Sequence, residues 1–103
     1  MAEKQYLILL DIDARKRHYH VTETHKVIQF TVQLEIKVGE VWKEVVRFDC
    51  AHSYAHKDYY NIKGDCRKIN LYLSYEEALT LADDDINENW MIYKERFLKG
   101  DFP

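Results

Sequence analysis

Apolar and polar residues alternate without a break over Ile28–Val38, which reads IQFTVQLEIKV. The even-numbered positions hold only Ile, Phe, Val and Leu, and the odd-numbered positions hold only Gln, Thr, Glu and Lys. A period of two is the spacing of a β-strand, whose side chains point in turn to opposite faces of a sheet. The pattern therefore predicts a strand with one buried face and one solvent-facing side.

The next residues predict the second arm of a β-hairpin. Gly39 separates the first strand from the segment Val41–Cys50, which is again rich in apolar residues. A three-residue loop over 38–40 predicts that Trp42 lies opposite Ile36. The same register places Glu44 opposite an apolar residue of the first strand, a mismatch that a β-bulge would relieve.

Three further short segments have strand-like patterns and complete a predicted antiparallel sheet of four or five strands. They are Tyr6–Ile12, His18–Thr22 and Ile69–Leu73. The polar residues Asp13–Arg17 separate the first two segments and are expected to form a turn.

The last part of the chain predicts one long helix over about Tyr75–Leu98. Ser74 followed by Glu77 is the pattern of a capping box at a helix start. Apolar residues at helical spacing give the helix one face that can lie on the sheet. They are Ala78, Ala82, Ile86, Trp90, Tyr93 and Phe97. The predicted fold class is thus α+β, an antiparallel sheet packed by one C-terminal helix.

Composition is that of one globular domain over residues 1–103. The chain has 103 residues, 47% of them hydrophobic, and a net charge of -3, which argues against binding nucleic acid through bulk positive charge. No apolar run approaches the roughly 20 residues needed to span a membrane. The two cysteines, Cys50 and Cys66, are too few for a disulfide framework, so a cytoplasmic location is expected.

Charge is unevenly distributed along the chain. Residues 1–73 carry twelve Lys and Arg against ten Asp and Glu, whereas residues 74–103 carry three against eight. The predicted sheet is therefore mildly basic and the predicted helix acidic. An anionic partner would favour the sheet and its loops.

Reactive side chains are concentrated in Arg47–Tyr60, RFDCAHSYAHKDYY, where a strand leaves the hairpin. A histidine is suited to proton transfer near neutral pH, and an adjacent aspartate can orient its ring. Metal binding is one interpretation of His52 and His56, but they lie too far apart on a strand to share an ion. Ser53 stands where the zincin motif has Glu, and no CxxC pair is present. We therefore expect neither a metal site nor a cofactor.

Metal-free acid–base chemistry on RNA is a second interpretation of this segment. The 2′-hydroxyl of RNA can attack its own phosphate when a base removes its proton, an acid protonates the leaving oxygen and cations hold the developing charge. His52 or His56 would exchange protons, with Asp49 or Asp58 orienting one of them. The side chains expected to contact phosphate are Lys57, Arg47 and Arg67. Those expected to stack on unpaired bases are Tyr54, Tyr59 and Tyr60.

A structural interpretation of the same residues stays open. A half-buried strand can carry histidines and tyrosines that only satisfy hydrogen bonds around the edge of a core. Residue types alone favour this interpretation.

The central segment also resembles known families. Asp49–Asp58, DCAHSYAHKD, with the strand before it and the helix after it, resembles a family of small uncharacterised prokaryotic domains over roughly residues 28–98. More distantly, its Asp-x-Ala-His start and basic turn are similar to the TumE-type toxins of toxin–antitoxin pairs. This resemblance implies an RNA-directed, toxin-like role in which Asp49, His52, His56 and Lys57 occupy the matching positions.

Two classes of function follow from the sequence. The first is a toxin-like protein that binds or cleaves RNA around Asp49–Asp58. The alternative is a non-enzymatic interaction domain that pairs with a second copy of itself or with an antitoxin-like protein through a sheet edge and exposed aromatic residues.

Overall fold

The computed structural model describes all 103 residues as one antiparallel sheet and one helix. Each of the six strands pairs with its neighbours in the chain. The strands are β1 (Ala2–Asp11), β2 (Ala14–Glu23), β3 (Lys26–Val38), β4 (Val41–Asp49), β5 (His56–Tyr60) and β6 (Cys66–Asn70), and helix α1 (Tyr75–Leu98) follows. The α+β class is confirmed, but the sheet has six strands, not four or five.

The strand that raises the count is β5, whose sequence HKDYY has no apolar alternation. Polar side chains occupy both of its sides, and the first three residues are nevertheless buried. Charged partners elsewhere in the chain lie close to these polar groups, and a local pattern does not reveal such partners. The following strand is also displaced from its predicted position, since β6 covers Cys66–Asn70 and not Ile69–Leu73.

Strand β2 likewise begins earlier than predicted. Only Ile12 and Asp13 form the turn after β1, so most of the predicted turn Asp13–Arg17 is strand. Arg15 and Arg17 direct their guanidinium groups onto Glu35 of β3. A run of charged residues therefore forms a strand because the neighbouring strand supplies the opposite charge.

The alternation that predicted β3 is confirmed on its apolar side. Phe30, Val32, Leu34 and Ile36 are all buried in the core. The polar side departs from the prediction, because Gln33 and Glu35 are also buried, although no helix covers them. Side chains from neighbouring strands shield this polar row from solvent.

The β3–β4 hairpin has a tighter turn than predicted. Val38 pairs with Val41 across a two-residue turn in which Gly39 has φ +62°, a conformation that suits glycine. Trp42 therefore lies opposite Lys37 and not Ile36. The register shifts near the predicted mismatch, which confirms a bulge there.

Helix α1 packs mainly on β3 and β4. The capping box of Ser74 and Glu77 is present, and the buried helix residues are Ala78, Ala82, Ile86, Tyr93 and Phe97. Trp90, predicted on the same face, is only half-buried. Polar contacts add to this interface, since Lys16 Nζ of β2 lies 3.1 Å from Asp83 Oδ1 of α1. Although α1 is long, it lacks the apolar stretch that crossing a membrane requires.

The sheet thus has two unlike surfaces. We call the surface under α1 the helix-covered face. The opposite surface, which carries Arg15, Glu35, Arg47 and Asp58, is the open face.

Candidate functional site

The candidate site lies where β4 ends and β5 begins. Asp49, the last residue of β4, pairs with His56, the first of β5. Between them the Ala51 N–H donates to Asp49 Oδ1 at 3.2 Å, and Ser53 adopts φ +68°. This backbone conformation is costly for a residue with a side chain, and such costs gather at functional sites. The turn returns His52 to within ring contact of His56.

His56 is held between two carboxylates and is only 1% exposed. Its Nε2 lies 2.5 Å from Asp49 Oδ1, and its Nδ1 lies 3.3 Å from Asp58 Oδ1. Each of its two ring nitrogens therefore faces one carboxylate oxygen. Because the ring is sealed from solvent, it cannot touch a large ligand directly.

Arg47 faces the same two carboxylates from β4. Its Nε lies 3.0 Å from Asp49 Oδ2, and its Nη2 lies 3.8 Å from Asp58 Oδ2. Burial lowers the pKa of Arg47, but the nearby acidic groups, Tyr60 and Glu44 foremost, raise it above its ordinary value. The guanidinium side chain stays 31% exposed, so it can also meet a ligand on the open face.

Two buried nitrogen atoms around Asp49 lack a well-directed acceptor. His56 Nε2 and Arg47 Nε approach the carboxylate closely but off the direction of a hydrogen bond, so these contacts are electrostatic. An incompletely satisfied buried donor costs about 1–3 kcal/mol. Native proteins retain few such groups without a reason beyond packing.

The rings of His52, Tyr54 and His56 lie close together at this site. The centroid of His56 lies 5.9 Å from that of His52 and 5.3 Å from that of Tyr54. His52 is exposed and Tyr54 is half-buried. His52 is therefore the imidazole of this cluster that a ligand in solution can reach.

Three further predicted site residues, Lys57, Tyr59 and Arg67, lie on the other side of the sheet. Lys57 points to the helix-covered face, where its Nζ lies 3.0 Å from Asp85 Oδ2 and 2.9 Å from the Tyr93 hydroxyl. Tyr59 shares that face with Lys57, and Arg67 of β6 pairs with Tyr59. Adjacent strand residues point to opposite faces. The structure therefore brings together Arg47, Asp49, His52, Tyr54 and His56, and separates Lys57, Tyr59 and Arg67 from them.

A second charged group on the open face was missed from the sequence. Glu35 accepts from Arg15 Nε at 2.5 Å and from Arg17 Nε at 2.9 Å, and Arg15 also stacks 4.0 Å from the ring centre of Trp42. Burial raises the pKa of Glu35, but hydrogen bonds from Arg17, Arg15 and Gln33 outweigh it and hold the pKa below its ordinary value. The i, i+2 spacing of the two arginines was the available signal, since it places both on one face of a strand.

A cavity of about 320 Å³ opens beside Asp49, between the 50–53 turn and the start of α1. Phe30, Cys50 and Tyr75 contribute to its walls. Burial, aided by the nearby Cys50, raises the pKa of the Tyr75 hydroxyl. The cavity falls within the size range of small-molecule sites. No group of three or more His, Cys, Asp or Glu side chains is arranged to hold a metal ion.

Comparisons with known proteins place the chain in a family without assigning a chemistry. Neither the curated proteins nor the solved structures contain a match to it. One family model, described as a domain of unknown function, matches residues 1–103. The chain therefore belongs to that family, DUF7718.

Proposed function

We propose that this chain is a toxin-like protein that binds single-stranded RNA on the open face and cleaves it without a metal ion at His52. The observation that carries the proposal is the exposed His52 ring, 5.9 Å from the buried His56 ring. A cytoplasmic location, where RNA is accessible and Cys50 and Cys66 stay reduced, is part of this proposal.

The open face offers the two kinds of group that single-stranded RNA binding requires. Arg47 and Arg17 are 31% and 34% exposed and can approach phosphates. Tyr54 and His52 present rings on which unpaired bases can stack. The acidic helix lies behind the sheet, so its negative charge faces away from a strand bound there.

The buried acids of the open face do not oppose this proposal. Glu35 lies between Arg15 and Arg17, and Asp49 is contacted by Arg47 and His56. Each carboxylate therefore has at least one guanidinium group nearby. The partly exposed guanidinium groups remain available to a phosphodiester backbone.

The chemistry assigned to the site is transesterification within RNA. His52 removes the proton of a 2′-hydroxyl, whose oxygen forms a bond to the adjacent phosphorus as the bond to the 5′-oxygen breaks. Water protonates the leaving oxygen, and Arg47 holds the charge of the phosphorane. His56 and Asp49 act as positioning residues, because His56 contacts the His52 ring but not solvent.

The test combines RNA binding and RNA cleavage on the same set of variants. Anisotropy of a fluorescent single-stranded oligoribonucleotide measures binding, and gel analysis with and without a chelator measures cleavage. We expect His52→Asn to slow cleavage by about 10²- to 10⁴-fold. The chelator should have no effect.

Matched controls come from the same chain. His25→Asn changes an exposed histidine in the β2–β3 turn at φ +63°, which Asn tolerates, and should leave cleavage unchanged. Arg17→Ala should weaken RNA binding, whereas Arg67→Ala on the helix-covered face should not. Cleavage unaffected by both His52→Asn and His56→Ala would remove these residues from the mechanism. Absence of RNA binding by the wild type would reject the proposal itself.

The second candidate function is a non-enzymatic interaction domain that pairs with another copy or with an antitoxin-like protein. The exposed edge strand β1 is the observation that favours it. This function would leave RNA untouched and would not depend on His52.

A further inference from the structure

The strand register places three cations in one line across the open face. Arg17 of β2 pairs with Gln33, and Gln33 pairs with Arg47 of β4. Arg47 pairs with Asp58, and Asp58 pairs with Lys68 of β6. Residues directly opposite each other in an antiparallel sheet point to the same face. Arg17, Arg47 and Lys68 therefore form a line perpendicular to the strands, which we call the cationic row.

The cationic row has the length of a short single strand of RNA. Neighbouring strands lie about 4.8 Å apart, and two strand spacings separate each cation from the next. The row therefore measures about 19 Å from Arg17 to Lys68. In a common class of RNA-binding domain, a four-stranded sheet carries two or three stacked bases. The cationic row crosses the five strands β2 to β6, so it has room for about four nucleotides.

All three cations of the row are accessible to a phosphate. The side chains of Arg17 and Arg47 remain about one-third exposed beside their carboxylate partners. Lys68 is exposed and forms no ion pair within the chain. Its strand partner Asp58 is directed at Arg47 and His56 instead. The Lys68 ammonium can therefore bind a phosphate without breaking an existing contact.

A path along β2, parallel to the strands, is the alternative for a bound RNA. It would use Arg15 together with Arg17, which share one face of β2. Arg15 is only 19% exposed, because its guanidinium contacts Glu35 and stacks on the Trp42 ring. Glu35 also pairs with Glu44, which adds a second carboxylate beside Arg15. This negative charge favours the path across the sheet over the path along β2.

The turn that carries His52 lies on the other side of the cationic row. Asp49 follows Arg47 by two residues on β4, a distance of about 7 Å along the strand. Both side chains point to the open face, where Arg47 Nε lies 3.0 Å from Asp49 Oδ2. An RNA strand on the row therefore passes the His52 turn at Arg47, the middle cation.

We propose that single-stranded RNA crosses the open face perpendicular to the β-strands, with phosphates on Arg17, Arg47 and Lys68 and the scissile phosphate at Arg47. This inference rests on the proposed function and adds to it a direction for the bound strand. It also adds Lys68 as a residue that holds the substrate and takes no part in breaking the bond. A substrate must extend on both sides of the scissile phosphate to contact the whole row.

The first test is the salt dependence of RNA binding, measured by anisotropy with a fluorescent oligouridylate of about eight nucleotides. Each phosphate contact on a single strand contributes about 0.7 to the slope of log affinity against log salt concentration. We expect a slope of about -2 for the wild type and about -1.4 for Lys68→Ala. Lys68→Ala should also weaken binding roughly threefold to tenfold, whereas Lys68→Arg should retain the wild-type affinity and slope.

Arg67→Ala is the matched control for Lys68→Ala. Arg67 precedes Lys68 on the same edge strand but points to the helix-covered face. The variant removes the same charge from the chain, and we expect the affinity and the slope to stay at their wild-type values. If Lys68→Ala aggregates through the edge of the sheet, Lys68→Gln, which keeps a polar side chain there, is measured in its place.

The second test varies the length of the oligouridylate. Wild-type affinity should rise up to about four nucleotides and change little beyond that length. The gain in affinity between two and about four nucleotides should be smaller in Lys68→Ala, because one end of the row no longer holds a phosphate. A gain of the same size in both proteins would contradict the path across the sheet.

The outcomes separate this inference from the proposed function. A wild type that binds no oligouridylate rejects both. A wild type that binds, with the same affinity and slope in Lys68→Ala, overturns the path across the sheet while RNA binding itself stands. Equal losses in Lys68→Ala and Arg67→Ala also overturn the path, since they would show a response to net charge and not to the cationic row.

Discussion

Glu35 shows at the scale of one residue how the open face is stabilised. It is buried in the sheet, accepts from two guanidinium groups and contacts the Gln33 amide. These donors hold the pKa of Glu35 below its ordinary value despite burial, which acts in the opposite direction. A carboxylate with a lowered pKa stabilises the fold in its ionised form.

Removing this charge should destabilise the fold. Glu35→Gln leaves Arg15 and Arg17 without a counter-charge, and we expect the free energy of unfolding at neutral pH to fall by about 2 kcal/mol. Urea denaturation measures the change. Glu40→Gln, at a side chain that is 95% exposed, is the control and should have almost no effect.

The same residue predicts the direction of a pH dependence. Because the folded pKa of Glu35 lies below 4.5, its contribution is present above pH 4.5 and is lost as the pH falls through the folded pKa. The stability difference between the wild type and Glu35→Gln should therefore shrink on acidification. A difference that stays constant from neutral pH down to acid would contradict this assignment.

The candidate site could be predicted only in part from individual residues. His52, His56 and Asp49 were recognised by their chemistry, and they do lie together. Lys57 was grouped with them because it follows His56 in the chain. Strand pleating turns these two neighbours to opposite faces, and without the bounds of β5 the sequence could not show that separation.

At the scale of elements, β5 is tied to α1 by a buried polar cluster. Lys57 Nζ contacts Asp85 and Tyr93, and the Tyr93 hydroxyl donates to Asp85 Oδ2 at 2.7 Å. Burial lowers the pKa of Lys57, but the hydrogen bonds that its ammonium donates to Tyr59, Tyr93 and Asp85 raise it to about 12. Burial raises the pKa of Tyr93 to about 12. The nearby Asp85 carboxylate acts in the same direction, and the Lys57 ammonium acts against it.

Asp85→Asn should weaken this connection and change its response to alkali. We expect the free energy of unfolding to fall by about 2 kcal/mol at neutral pH, because Lys57 is left buried without its carboxylate. Both raised pKa values mean that the stabilisation is present below pH 10.0 and is lost as the pH rises to about 12. The difference in free energy of unfolding between the wild type and Asp85→Asn should therefore shrink as the pH rises from 10.0 to about 12.

Chemical denaturation at several alkaline pH values measures this difference in free energy of unfolding. Asp84→Asn, one residue earlier and exposed, is the matched control and should change stability little. An equal loss in both variants would show that helix charge in general, and not the cluster, stabilises the fold.

Elements that carry their own pattern were predictable, and elements held by distant partners were not. Strand β3 and helix α1 bury one apolar side each, so periodicity and the Ser74 cap were sufficient to find them. Strand β5 and the first half of β2 are polar, and contacts with Asp85 and Glu35 stabilise them. Those partners lie 28 residues from Lys57 and 20 from Arg15, beyond the reach of any local pattern.

At the scale of the whole molecule, one sheet presents three different surfaces. Helix α1 covers one face, and the edge strand β1 exposes an apolar row. The open face combines partly exposed arginines with the His52 and Tyr54 rings. In the proposed function RNA binds the open face, and the exposed edge of β1 lies outside that surface.

The central claim is that RNA binds the open face, and chemical-shift mapping tests it most directly. In a titration of the ¹⁵N-labelled chain with single-stranded RNA, we predict shift changes at Arg17, Arg47, His52 and Tyr54, with α1 unaffected. Changes confined to α1, or no changes at saturating RNA, would contradict the account.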